Sequence, residues 1–304
     1  MNKLKFCLGI SKPLDILNND IRKLVNFAIK KNFTIHTSIT YPVNNFFIKN
    51  FLRKKYRHKI NFICKILADS NKNLKKSVEL SVEKYSIKKI FIIQLVNLPL
   101  KSPYVRNIES LLEDELNIIF QTIRDLKNRN IIKKVYIQIY SRDNLDFCKK
   151  ILKYADGFAF YANINEIHLK REVYDYIVEK NVPSIVLSVF GNPKRSQSLD
   201  HDLHLKSYYF SQSFFSKNTI AVGRTWNKNR LEQIYSFNQK MIAKNFNFNP
   251  KFIETAETQD NPSNFYKRFK VTNAYYITIF ILKCLIKKII GQKNIIFIKN
   301  LKGL

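Results

Sequence analysis

Residues 77–99 read SVELSVEKYSIKKIFIIQLVNLP. The first half spaces Val78, Val82 and Tyr85 at helical intervals, and Ile90–Val96 is a nearly unbroken apolar run. The change of period predicts a helix over Asn73–Tyr85 followed by a strand over Ile90–Val96. A strand without polar alternation is covered on both faces, as in a parallel sheet flanked by helices.

The same unit recurs on both sides. Further strand-like runs are Leu4–Ile10, Phe33–Thr37, Ile60–Ile66, Lys134–Ile139, Gly157–Tyr161, Ser184–Phe190 and Thr219–Val222. Between and after them, Asn19–Lys31, Val43–Arg57, Glu109–Arg129, Asp143–Tyr154, Leu169–Lys180, Leu203–Phe215 and Asn227–Lys244 carry apolar residues at i, i+3, i+4 and i+7. Eight alternating units fit a (β/α)8 TIM barrel, whose usual length is about 250 residues. The competing open, doubly wound sheet usually has a glycine-rich turn after its first strand, and Gly9 alone is not one.

The barrel is therefore assigned to residues 1–244. Residues 245–304 form a linker, polar and marked by Pro250 and Pro262, and then an apolar, basic helix at Val271–Ile290. The run AYYITIFIL is followed by Lys283, so it falls short of the roughly 20 apolar residues a membrane span needs. Two roles stay open for this helix: lying on an anionic lipid surface, or docking on the barrel or a partner chain.

The chain carries 53 Lys and Arg against 23 Asp and Glu, a formal charge of +30, and 45% of its 304 residues are hydrophobic. That apolar content excludes intrinsic disorder as the main state. Lys, Asn, Ile, Phe and Tyr are all abundant, as codons rich in adenine and thymine would give, so the charge reads either as a solvated basic surface or as a site for an anionic partner. The basic residues are scattered and form no nucleic-acid motif, so no specific nucleic acid is expected. Only six glycines occur, and neither GxGxxG nor GxxxxGK[ST] is present. Cys7, Cys64, Cys148 and Cys284 lie far apart with no zinc-type spacing, which predicts free thiols, no metal and a cytoplasmic setting, with peripheral contact at the inner face of a membrane through Val271–Ile290 as an addition. The start MNKLKFCLGISKPLD lacks the pattern of a signal peptide.

In such a barrel, chemistry sits at the carboxyl ends of the strands. The segments there are FTIHTSITYP (33–42), FICKI (62–66) and IQLVNLP (93–99). The opening FCLGIS, the segment FTIHTSITYP, the strand FICKI and SVELSVEKYSIKKIFIIQLVNLP resemble, in order, the aldo-keto reductase motifs of the first strand, F-x-I-D-T-A-x-x-Y-G, the strand ending in Thr-Lys, and the helix and strand ending in His-x-Pro. VYIQIYSRDNL, ADGFAFYANINEIHLKR, SIVLSVFGNP and IAVGRTWNKNRLEQI continue the likeness. The resemblance spans roughly residues 4–240 and points to a divergent member of bacterial type.

The resemblance implies Tyr41 as the acid that protonates a substrate carbonyl and Lys65 as the cation that assists it. His36 stands where the family has the Asp that pairs with the lysine, and Asn97 where it has the substrate-orienting His. A neutral His36 would be able to accept from Lys65, and Asn97 to donate through its amide. The implied cofactor contacts are Gln138, in place of a nicotinamide-contacting Ser, Asn163, Ser188, and the loop Gly223, Arg224, Lys228 and Arg230. Guanidinium forks suit a phosphate monoester, which favours NADP(H), with NAD(H) the other candidate. Without the family, Tyr41 reads as a rim tyrosine, Lys65 as a strand-end lysine reaching water, and the basic loop as an ordinary helix start.

Two functions lead, ahead of a nucleic-acid binder driven by charge alone. One is an NAD(P)H-dependent oxidoreductase acting on a small-molecule carbonyl, with a sugar-related compound as one candidate, and with an altered catalytic tetrad. The other is an inactive barrel that binds a nucleotide or serves as an assembly subunit at a membrane.

Overall fold

The computed structural model describes residues 5–9, 19–39, 60–67, 71–96, 108–141, 143–163, 166–190, 219–223, 229 and 231–236. Strands β1 (Lys5–Gly9), β2 (Thr34–Ser38), β3 (Phe62–Leu67), β4 (Ile90–Val96), β5 (Ile132–Gln138), β6 (Gly157–Asn163), β8 (Ser184–Leu187) and β9 (Ile220–Gly223) form one parallel sheet. β5 pairs with β6, β6 with β8, β8 with β9, and β9 with β1, so the sheet closes into a barrel of eight strands. The closed ring excludes the open doubly wound sheet. β7 (Glu166–Ile167) is a short antiparallel return on β6, registered Asn163 to Glu166.

Around the barrel lie α1 (Asn19–Lys30), α2 (Asn71–Tyr85), α3 (Ile108–Asn128), α4 (Leu145–Leu152) and α5 (Arg171–Glu179), and residues 231–236 are helical after β9. The expected helices Val43–Arg57 and Leu203–Phe215 lie outside the described residues, as does the segment 245–304. No helix among the described residues is long and apolar enough to cross a membrane.

Alternation along the strands separates two apolar layers. Phe6, Leu8, Phe62, Cys64, Ile93, Leu95, Phe158 and Phe160 face outward, packing with Leu24, Leu74, Val78, Phe120 and Ile177 of the helices. Cys7, Ile63, Ile92, Tyr136, Ala159, Ile185, Leu187, Ile220 and Val222 fill the lumen. On α2 the buried residues Leu74, Val78, Ser81 and Tyr85 follow the helical spacing, and Tyr85 stacks on Phe62 of β3 with ring centroids 5.7 Å apart.

The joints from α1, α2, α3 and α5 to the strands that follow them are alike. Asn32, Ser86, Asn130 and Asn181 each adopt positive φ (56°, 51°, 57° and 52°) just beyond α1, α2, α3 and α5. The next residue turns back with a long backbone bond: Phe33 N to Ala28 O, Ile87 N to Val82 O, Ile131 N to Leu126 O and Val182 N to Ile177 O. This is the left-handed C-terminal cap, usually built on glycine. A glycine-poor chain builds it with asparagine, which tolerates positive φ, and once with serine. Ser86→Gly is therefore expected to stabilise the fold by about 1 kcal/mol, read as a higher urea midpoint, with a smaller gain for Asn130→Gly. An unchanged midpoint for Ser86→Gly would show that its backbone carries no strain.

The strands end where local chemistry ends them. β8 stops at Leu187, short of the expected Phe190, because Ser188 takes φ 54° and breaks the ladder. β6 runs to Asn163, beyond the expected Tyr161, because the β7 return extends its pairing. At the opposite end of the barrel Asp156 accepts from Val135 N at 2.8 Å and from Lys127 Nζ at 2.6 Å, tying α3 to β5 and the start of β6.

Candidate active site at the carboxyl end of the barrel

Two residues along a strand restore the same face. Lys65 therefore shares the lumen with Ile63, Gln94 with Ile92, Gln138 with Tyr136, and Asn163 with Ala159 and Tyr161. On β2, Ile35 packs outward, so His36 and Ser38 face the lumen. The lower lumen is thus mainly apolar and its carboxyl half is polar.

Register aligns this polar layer. Ser38 on β2 pairs with Lys65 on β3, and Lys65 pairs with Gln94 on β4. The Ser38 hydroxyl donates to the Lys65 carbonyl at 2.8 Å. His36 Nε2 lies 2.7 Å from Gln94 Oε1, and Gln94 Nε2 donates to Gln138 Oε1 at 2.9 Å. A side-chain chain thus runs from β2 through β4 to β5. Gln94 and Asn163 are buried, Gln138 is 6% exposed and Lys65 9% exposed. A charge partly removed from water exerts a stronger field on a neighbouring oxygen than a surface charge does.

The sequences of the eight barrel strands contain neither Asp nor Glu. Burial pushes the thiols of Cys7 and Cys64 well up, so neither is a thiolate nucleophile near neutral pH. Burial, with the Asp156 carboxylate adding to it, pushes the Tyr136 phenol up to about 12, and it stays a neutral lining group. Among the described residues no cluster of three or more His, Cys, Asp or Glu would hold a metal ion. Cys7, Cys64 and Cys148 are buried and in no disulfide.

Of the residues singled out from sequence, the structure brings His36, Lys65 and Gln138 into this layer and sets Asn163 at the end of β6. Ser188 sits at the β8 terminus in left-handed backbone, a conformation that in non-glycine residues concentrates at ligand sites. Gly223 ends β9, and a Cβ there would meet the Phe190 and Phe6 rings at 2.3 and 2.9 Å. Packing of the outer layer thus accounts for that glycine. Tyr41, Asn97, Arg224, Lys228 and Arg230 lie outside the described residues. His36 Nε2 is bonded to Gln94 Oε1. Gln94 itself was missed by the sequence reading, although a lone carboxamide within IFIIQLV was the signal: buried in a strand, it must find partners.

A closed parallel barrel with a polar layer at the carboxyl ends of its strands defines the TIM-barrel class. Within that class the chain has the aldo-keto reductase form of the fold. An aldo-keto reductase from Klebsiella pneumoniae in complex with NADPH superposes with a TM-score of 0.57 over 79% of this chain and 88% of its own, at 8% identity. An aldose reductase from Giardia lamblia gives 0.57 over 79% and 88%, at 9% identity. The holo form of an aldo-keto reductase from Bacillus halodurans gives 0.54 over 85% and 95%, at 14% identity. No protein-family model and no curated protein sequence matches the chain.

Proposed function

We propose that the protein is an oxidoreductase that reduces a small-molecule carbonyl with NAD(P)H at the carboxyl end of the barrel. The observation that carries this reading is the buried polar layer His36–Lys65–Gln94–Gln138, placed where catalytic groups lie in such barrels. Reduced nicotinamide, when bound, supplies the hydride. The donor set fits a nicotinamide carboxamide: Gln138 keeps its amide nitrogen available and Asn163 lies buried at the end of β6. Ser188 joins them at the β8 end, and the sequence positions of Arg224, Lys228 and Arg230 suit the phosphate of NADP(H). Tyr41 gives the proton to the carbonyl oxygen, Lys65 stabilises the charge developing there, and Asn97 orients the carbonyl by donation. We place the protein in the cytoplasm, with Val271–Ile290 available for a membrane or protein contact.

The test is a fluorescence titration with NADPH and NADH, followed by consumption of NADPH with a panel of aldehydes, including sugars. Binding of NADPH with turnover supports the reading, and absence of nucleotide binding overturns it.

A second reading, an inactive nucleotide-binding or assembly barrel, is favoured by one observation: no barrel strand supplies a carboxylate for Lys65, and His36 Nε2 is engaged by Gln94. His36→Asp decides between them. It places an anion on the strand next to Lys65 and is expected to raise reductase activity at least tenfold, equivalent to about 1.4 kcal/mol of barrier. If wild type and variant bind NADPH and both are inert, the inactive barrel is the correct reading. A wild type that is active and slowed by the change makes His36 part of the working site.

A further inference from the structure

The barrel strands are parallel, so the residues that lead from a helix into the next strand lie at the amino end of the barrel, opposite the polar layer. Lys88 and Lys89 stand between α2 and β4, Arg129 between α3 and β5, Lys133 and Lys134 at the start of β5, and Lys153 just after α4. All but the half-buried Lys134 are exposed. The Lys133 ammonium lies over the Phe91 ring, 5.5 Å from its centroid, and Lys89 Nζ donates to Asn130 Oδ1. Among the described residues the acids in the last helical turns and the joints are Glu83, Asp125, Asp156 and Glu179. Asp156 is already engaged by Lys127 and Val135 N.

Two ordinary causes fall short of this rim. The partial negative charge at a helix carboxyl end draws cations into the last turn. That accounts for Lys30, Lys84 and Lys127, but Lys88, Lys89, Lys133 and Lys134 lie beyond the helices. A lysine-rich coding bias would place cations on every exposed face alike. On α3, however, Glu109, Glu113, Asp114 and Glu115 precede Arg124, its first basic residue, and on α5 Arg171 is paired with Asp175 at 2.9 Å. On the β4–β5 side of the barrel, charge is therefore sorted along the axis, with the cations at the amino end.

The described chain also ends its last helix there. Tyr235, in the helix after β9, packs edge-on against Phe27 and Phe33 with centroids 6.0 and 6.2 Å apart, and Lys31 Nζ lies 4.3 Å from its ring centroid. That helix has thus come level with the end of α1. Residues 237–304, with the apolar, basic run Val271–Ile290, continue from that end.

We propose that the amino end of the barrel is a docking surface for a bilayer of anionic phospholipid, held by its lysines and turning the mouth of the site away from the membrane. This goes beyond the catalytic reading and does not depend on it. Lysines on flexible stems act as point charges and suit a diffuse sheet of headgroups. The exposed large hydrophobics among the described residues are Ile118 and Val178, so no aromatic among them stands clear for a nucleic-acid base to stack on. The run Val271–Ile290 adds the apolar area that a surface-bound segment buries.

The test is sedimentation of the full chain with phosphatidylcholine vesicles, with or without phosphatidylserine as about a third of the lipid. The chain should bind the anionic vesicles, leave the neutral ones, and dissociate as salt rises. Each basic residue near such a surface changes binding about fivefold, so Lys88→Gln, Arg129→Gln and Lys133→Gln together should weaken it about a hundredfold. The same loss of charge at exposed lysines nearer the starts of α1 and α2, Lys23→Gln, Lys75→Gln and Lys76→Gln, should change it less than about threefold. An unweakened rim triple, equal weakening by both triples, or no binding to anionic vesicles overturns the proposal. So does a mixed-sequence RNA that displaces the vesicles and loses its own binding with the same three side chains, which reassigns the rim to nucleic acid. Acetylation of the unmutated chain gives a second measurement: vesicles should slow modification of Lys88 and Lys133 at least about threefold and leave Lys75 and Lys76 unchanged. Uniform slowing, or none, overturns the assignment as well.

Discussion

Lys65→Met is expected to lower the rate of the proposed carbonyl reduction at least about a hundredfold, with NADPH binding within about threefold of wild type. Lys65 lies on β3 between Ser38 and Gln94 in register, 9% exposed and facing the lumen. A cation in that place acts on charge that develops on an oxygen during reaction, and partial removal from water strengthens it. Methionine keeps the length and apolar stem of the side chain and removes only the charge and the donors, so the loss falls on the chemical step. The check is single-turnover kinetics beside a binding titration. A variant that reduces aldehydes at the wild-type rate makes Lys65 a structural strand lysine, and one that loses nucleotide binding equally makes it a binding group.

Gly157→Ala costs about 3 kcal/mol of stability. Gly157 opens β6 where the chain entering β8 passes over it: Phe158 N donates to Pro183 O at 3.0 Å, and a Cβ on Gly157 would meet that oxygen at 2.1 Å and Tyr136 Cε2 at 3.1 Å. The first clash is with backbone, which no rotamer change relieves, so β6 must move from β8 at a seam that closes the barrel. Urea unfolding followed by circular dichroism measures the loss, and a midpoint equal to wild type would mean that the seam yields freely.

The barrel was legible in the sequence because parallel strands buried on both faces leave apolar runs, and β4 begins and ends where its run does. β7 was not legible: two residues, Glu166–Ile167, carry no period. The end of β8 was misjudged for a similar reason, since Ser188 gives no compositional sign of its left-handed backbone. At the site, Lys65 was legible because FICKI resembles the family's strand ending in Thr-Lys. The partner of His36 was not, because Gln94 lies 58 positions away and only the closed register brings the two side chains together. At Gly223 the resemblance gave a place in a cofactor loop but no sign of its packing, where a Cβ would meet the Phe190 and Phe6 rings.

The asparagine joints bear on how the protein ages. Asparagine deamidates when the backbone nitrogen of the following residue attacks its side-chain carbonyl and closes a succinimide, a reaction fastest where that residue is small and its nitrogen free. After Asn32, Asn130 and Asn181 come Phe33, Ile131 and Val182, bulky and anchored, with their nitrogens already bonded to Ala28 O, Leu126 O and Ile177 O. The geometry that lets asparagine replace glycine at these corners also withholds the nucleophile, so the joints are protected from chemical decay for as long as the helices they cap stay folded.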